Sequence, residues 1–180
     1  MRLATRLPDY KTGCAESYTC FFAGLNLVWS GNLSTDVKNL AVENSALANL
    51  ELGYAGDVTA QQAHAWAQAD QAIVVDIRTD AERAWVGWVP GAMPLAFKQW
   101  PGMQLNPDFD REILKLGGSG KKLVLLCRSG IRSIAAARRA TALGLQAYNI
   151  LEGFEGEPDE HSHRGQTGGW RFHGLPWSQD

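Results

Sequence analysis

Two near-continuous apolar runs of strand length, Ala72-Ile73-Val74-Val75-Asp76-Ile77 and Lys122-Leu123-Val124-Leu125-Leu126-Cys127, constrain the fold of this chain more than any other feature. A strand with one face in water alternates apolar and polar residues. These do not alternate, so both faces of each strand must be covered. The segments between and after them carry helical spacing, and β-α-β crossovers place helices on both faces of a parallel sheet. The fold class is therefore α/β.

The remaining elements follow from local signals. Thr59 is placed to cap a helix over Ala60–Gln68. Thr79-Asp80-Ala81-Glu82 has the capping-box pattern for one or two helical turns, and Val89-Pro90-Gly91-Ala92 reads as a turn into a short strand at 93–96. Residues 107–116 predict a helix with Phe109, Ile113 and Leu116 on one face, ended by Gly117-Gly118. The strongest helix signal covers 133–143, with Gly144 as its C-terminal stop; Ala135, Ala136, Ala137 and Ala140 would let it lie close to a sheet. One more strand is expected at 147–151, before a polar loop over 153–169. Residues 1–52 read as an N-terminal extension, largely disordered, with a short helix at 36–50 behind the cap oxygens of Ser34, Thr35 and Asp36. Gly53-Tyr54-Ala55-Gly56-Asp57 reads as a hinge, so the folded domain is expected over 53–180.

Composition narrows the function classes. At 180 residues, 45% hydrophobic and 20% charged, the chain fits one ordinary globular domain. Its net charge of −2 and lack of a basic stripe give no footprint for a nucleic acid partner. The run Cys20-Phe21-Phe22-Ala23-Gly24-Leu25 is interrupted by Asn26 and falls well short of the roughly 20 apolar residues that span a bilayer, so no membrane association is expected. Three cysteines, Cys14, Cys20 and Cys127, form no C-x-x-C pair. That argues against a disulfide framework or a zinc site and favours a reducing, cytoplasmic setting.

The chemistry concentrates at Cys127. The segment Cys127-Arg128-Ser129-Gly130-Ile131-Arg132-Ser133 joins the strongest strand to the strongest helix. In an open parallel sheet, ligands bind beyond the carboxyl ends of the strands, where helix N-termini present unpaired N–H groups to anions. Gly130 permits the positive φ that a curled, anion-binding loop requires. Thiols placed at helix N-termini beside arginine ionise more readily than free cysteine, so Cys127 is expected to be a nucleophile. A free cysteine ending a buried strand often behaves only as a small hydrophobe; the coincidence of strand, cysteine, two arginines, glycine and helix weighs against that reading here. Arg128 and Arg132 are suited to bidentate recognition of oxyanions, although either can instead hold the loop through an ion pair, and for Arg128 the two roles weigh equally.

Val75-Asp76-Ile77-Arg78, Glu82, Val89-Pro90-Gly91-Ala92, the loop from Cys127 to Ser133, Glu152-Gly153-Phe154 and Gly174-Leu175-Pro176-Trp177 together resemble the rhodanese superfamily over residues 55–177. The resemblance implies a single rhodanese-like domain with a five-stranded parallel sheet and helices on both faces. It implies sulfur transfer through a Cys127 persulfide, with Arg128, Ser129, Gly130, Ile131 and Arg132 as the cradle and Ser133 as the last residue of the substrate-binding loop. A small anionic donor such as thiosulfate and a thiol or cyanide acceptor would be the partners, with no cofactor and no metal. A sulfur-relay module fed by a partner protein is the alternative. Cysteine-dependent phosphatases resemble rhodaneses in fold but carry an arginine six positions after the cysteine; here that position is Ser133 and Arg132 lies at five, which disfavours phosphate or arsenate chemistry.

Some features depart from the family pattern. Where many members have Gly-His-Ile before the Pro-Gly-Ala turn, this chain has Gly87-Trp88-Val89, and catalysis is not expected to depend on the change. The 155–169 loop is long and carries His161 and His163, which without a third ligand read as solvated residues rather than a metal site. Asp76 and Arg78 are expected to support the active-site loop or to pair with each other. Trp85, Trp88 and Trp100 are weak candidates for a pocket mouth, aromatics near turns more often completing the core.

Overall fold

The computed structural model describes residues 51–179; the extension expected over 1–50, including the helix at 36–50, lies outside them. The chain runs through β1 (Gly56–Val58), α1 (Ala60–Gln68), β2 (Ala72–Asp76), α2 (Asp80–Val86), β3 (Met93–Pro94), β4 (Lys98–Gln99), β5 (Gln104–Leu105), α3 (Phe109–Gly117), β6 (Lys122–Leu126), α4 (Ile131–Ala142) and β7 (Ala147–Ile150). Five strands form one sheet in the order β1-β7-β6-β2-β3, every neighbouring pair parallel. β4 and β5 make a separate antiparallel hairpin.

Alternation along β6 explains why both faces are covered. Leu123, Leu125 and Cys127 pack with Phe109 and Ile113 of α3 and with Ala136, Ala137 and Ala140 of α4. Val124 and Leu126 face the other way, toward Ala60 and Ala63 of α1 and the buried rings of Phe154 and Trp170. The three alanines let α4 settle directly on the sheet. Each side chain removed from water contributes at about 25 cal/mol per Å² of apolar surface, so the two faces together drive the fold.

Helix ends are fixed by the residues that signalled them. The Thr59 side chain accepts from the Gln62 N–H at 3.1 Å. At α2 the capping box is complete: Thr79 Oγ1 accepts from the Glu82 N–H at 3.2 Å, and Glu82 Oε2 accepts from the Thr79 N–H at 3.0 Å. Gly144 follows α4 with φ +85°.

The hinge reading of 53–57 is corrected. Gly56 and Asp57 open the edge strand β1, in register with Tyr148 and Asn149 of β7. Tyr54 is buried against the core and donates to Asp57 Oδ1 at 2.8 Å. Glycine-rich composition reads as a flexible joint, but an available sheet edge supplies the ladder that the local sequence does not advertise. The expected strand at 93–96 is only two residues long, and the Leu95 and Phe97 N–H groups extend its bonding by donating to the Asp76 and Ile77 carbonyls. Among the described residues, no helix is long and apolar enough to cross a membrane.

Candidate active site

Cys127 directly follows β6, the middle strand of the sheet, and α4 begins four residues later. Cys127 is 1% exposed. Gly130, with φ +90°, turns the chain so that its N–H donates to Cys127 Sγ at 3.1 Å. The helix starts at Ile131, two residues before the sequence expectation, so the second half of the loop is the first helical turn. Its leading N–H groups have no carbonyl one turn back to bond, and no acidic residue lies in that turn.

A cavity of about 580 Å³ opens beside the sulfur, lined by Cys127, Arg128, Ser129, Ile131 and Arg132 of the loop and by residues of the β2–α2 and β4–β5 segments. Of the expected loop residues, Gly130 and Ser133 are buried and do not line it. Ser133 Oγ sits 3.2 Å from Cys127 Sγ, 3.0 Å from the Gly130 carbonyl and 2.6 Å from Asn149 Oδ1.

The sequence left open which loop arginine makes an ion pair. Arg132 makes the ion pair. Its Nη1 and Nη2 donate to Glu82 Oε2 and Oε1 at 2.9 and 2.5 Å. Burial pushes the Glu82 carboxyl up, but Arg132 and Thr79 outweigh it and hold the group at about 2. Burial likewise opposes charge on Arg132, and Glu82 overrides it, raising the guanidinium further. Arg128 is exposed at the cavity wall, and its side chain has no ion pair among the described residues.

Asp76 and Arg78 form a buried pair behind the site. Arg78 Nε and Nη2 donate to Asp76 Oδ1 and Oδ2 at 2.9 and 2.6 Å, and Nη2 also donates to the Gly87 carbonyl at 2.8 Å. The guanidinium carbon stands 3.9 Å from the centre of the Phe154 ring, a cation–π arrangement. Arg83 donates in turn to the Arg78 carbonyl. These contacts fix the turn from which Glu82 meets Arg132.

Backbone straps hold the loop from the β7 side. The Phe154 and Glu155 N–H groups donate to the Cys127 and Arg128 carbonyls at 2.8 and 2.9 Å. Gly153, at φ +63°, is pressed against the same two residues, with no room for a side chain. Glu152 Oε2 accepts from the Gly169 N–H at 2.9 Å and lies 2.7 Å from His173 Nε2; the Gly169 bond first, and His173 after it, keep the carboxyl below its ordinary range.

Sequence reasoning placed Glu82 in the α2 capping box but missed its pairing with Arg132, and it missed Asn149. Asn149 had a signal: it is the one polar inward residue in an otherwise buried strand, and it is 1% exposed. Trp85 and Trp100 line the cavity, but Trp88 does not; its backbone bridges to Ser178 instead. The His161 and His163 rings are 6.3 Å apart in the outer loop, and both backbone N–H groups bond Asp159.

Comparisons with known proteins bear on the family and the fold. A family model described as the rhodanese-like domain matches residues 59–156. An uncharacterized protein of Rickettsia conorii is 36% identical over 113 residues, covering 60% of this chain and 84% of the relative. One of Rickettsia prowazekii is 33% identical over 111 residues, with the same coverage. Among solved structures, that of Rv0390 from M. tuberculosis superposes with a TM-score of 0.62 at 38% identity, covering 71% of this chain and 99% of that one. The family match spans more than half of the sequence and contains the Cys127 loop: the chain belongs to the rhodanese-like domain family.

Proposed function

We propose that the protein is a sulfurtransferase in which Cys127 carries sulfane sulfur as a persulfide. The observation that supports this best is the position of Cys127 Sγ, under the first turn of α4, bonded by the Gly130 N–H at 3.1 Å and open to a cavity. The thiolate is the reactive form of cysteine. It attacks the outer sulfur of an anionic donor; the new S–S bond forms as the donor's S–S bond breaks, and the bonding pair leaves with sulfite when the donor is thiosulfate. An acceptor such as cyanide or a thiolate then attacks the terminal sulfur of the persulfide and returns Cys127 as the thiolate. Negative charge sits on sulfur throughout. The Gly130 N–H, bonded to the sulfur, and the positive N-terminal end of α4 favour that charge. Direct attack by sulfur needs no separate general base.

Intact mass of the reduced protein after thiosulfate treatment tests the reading. The expected result is a gain of one sulfur atom, removed by cyanide and absent in Cys127→Ala. No gain with thiosulfate, but a gain from a persulfidated protein donor, would move the activity to a protein-fed relay. Hydrolysis of an aryl phosphate without sulfur uptake would overturn sulfur transfer.

A further inference from the structure

The polar contacts behind Cys127 do not end at Ser133. They run away from the cavity, through the buried Asn149 amide, to the exposed carboxylate of Asp57 on the edge strand β1. Asp57 does not line the cavity beside the sulfur, so it acts on Cys127 only through the side chains between them. Its Oδ1 accepts from Asn149 Nδ2 and from the Tyr54 hydroxyl, each at 2.8 Å. The phenol keeps its proton, because burial first, and the bond to Asp57 after it, push Tyr54 up to about 12.

An ionised carboxylate only accepts. A flipped Asn149 amide would set oxygen against oxygen at Asp57, so Nδ2 stays on β1 and Oδ1 is turned to Ser133 Oγ, 2.6 Å away. The Ser133 hydroxyl has one proton, and Asn149 is its shortest contact, ahead of the Gly130 carbonyl at 3.0 Å and Cys127 Sγ at 3.2 Å. The sulfur receives the Gly130 N–H, while a second donor within reach is directed elsewhere.

That direction matters because the two ends of a sulfur-transfer cycle put charge on different atoms. In the free thiolate the charge is on Sγ. In the persulfide it is on the terminal sulfur, and Sγ is a neutral bridging atom. A donor withheld from Sγ therefore raises the free thiolate and leaves the persulfide nearly untouched.

Resting on the sulfur-transfer reading, we propose that Asp57 is a positioning residue for sulfur retention: by fixing the Asn149 amide it keeps the Ser133 proton off Sγ and biases Cys127 toward holding the transferred sulfur. The step it biases exchanges thiolate and thiosulfate for persulfide and sulfite. The Sγ–sulfur bond forms, the donor's S–S bond breaks, and its electron pair leaves on sulfite. Charge balances, because a thiolate and a dianion give a persulfide anion and a dianion.

Intact mass of the protein equilibrated with fixed thiosulfate and sulfite mixtures reads the ratio of loaded to free Cys127. In Asp57→Ala the amide can turn and the hydroxyl can donate to a charged Sγ. The loaded ratio should fall about three- to tenfold, as expected for one hydrogen bond to a charged group shared with the Gly130 carbonyl. Iodoacetamide should alkylate the unloaded variant faster by a similar factor. Asp57→Asn, which keeps the shape and can present either end of its amide to Asn149, should move both readouts in the same direction. Placed in a Ser133→Ala background, the Asp57 substitutions should change neither, because the proton they redirect is gone; a role in merely holding β1 to β7 would persist there. Asp57 is exposed, so neither substitution empties the core. A loaded ratio unmoved in both Asp57 variants, or a fall that survives Ser133→Ala, overturns the inference. A parent protein that never loads from thiosulfate sinks that donor instead, and the alkylation rates then decide by themselves whether Asp57 acts through Ser133.

Discussion

The Arg132 guanidinium grips the Glu82 carboxylate through two parallel hydrogen bonds of 2.9 and 2.5 Å, joining the first turn of α4 to the first turn of α2. Glu82 simultaneously accepts from the Thr79 N–H and hydroxyl, each at 3.0 Å. One carboxylate thus ties the β2–α2 turn to the loop that carries Cys127. Glu82→Ala removes the side-chain half of the capping box and leaves a half-buried guanidinium without its partner. The expected cost is about 1–3 kcal/mol, read as a lower urea midpoint with an unchanged slope. Rescue by Asp at the same position should be poor, because the shorter side chain cannot span both partners.

The same pair sets a pH dependence. Glu82 sits at about 2 in the folded chain against an ordinary value of 4.5. A carboxyl depressed by folding contributes stability that is complete above its unfolded value and is lost as pH falls through the folded one. The stability difference between the parent and Glu82→Gln should be constant from pH 7 to about 5, shrink below 4.5 and vanish near 2. Urea titrations of both proteins across that range measure it; a difference that stays flat to pH 2.5 would show that the pair adds no pH-linked stability.

Gly153 packs where no side chain fits. A Cβ there would lie 2.5 Å from the Cys127 carbonyl oxygen and 2.6 Å from the Arg128 carbonyl carbon, on backbone at φ +63°. Gly153→Ala is expected to cost about 2–4 kcal/mol, combining left-handed strain with overpacking, and to slow alkylation or sulfur loading of Cys127 by displacing its loop. Gly91→Ala is the control: it carries the same kind of positive φ, +80°, with nothing within 4 Å, so it should cost only about 1 kcal/mol and leave Cys127 reactivity alone. Thermal melts and thiol-labelling rates separate the two.

How much of this was readable in the sequence follows from the range of each interaction. β2, β6, the α2 capping box and the glycine-bearing loop rest on contiguous residues and are legible as patterns. The Glu82–Arg132 pair spans 50 positions, and nothing local tells which loop arginine has a carboxylate waiting. β1 is three residues long and exists because β7 offers an edge. Phe154 and Trp170 flank a polar, glycine-rich loop, yet both are fully buried against the sheet; their partners come from α1 and β6, remote in sequence.

Asn149 controls what Ser133 can offer the sulfur. Its Nδ2 donates to Asp57 Oδ1 at 2.8 Å, and a carboxylate only accepts, so the amide is oriented with Oδ1 toward Ser133 Oγ at 2.6 Å. The Ser133 hydroxyl has one proton and three acceptors in reach, of which Asn149 Oδ1 is the nearest; the Cys127 sulfur, at 3.2 Å, then faces oxygen lone pairs. Asn149→Ala removes the preferred acceptor and leaves the Gly130 carbonyl and the Cys127 sulfur to share the proton, with a charged sulfur the stronger acceptor of the two. Iodoacetamide should then alkylate Cys127 several-fold faster at neutral pH, as expected when one added hydrogen bond to a charged group favours the thiolate. Ser133→Ala should change the rate little on its own and should abolish the gain when combined with Asn149→Ala. A large loss of reactivity in Ser133→Ala alone would instead mean that the hydroxyl already donates to sulfur in the parent, and that Asn149 serves only to hold β7 against α4.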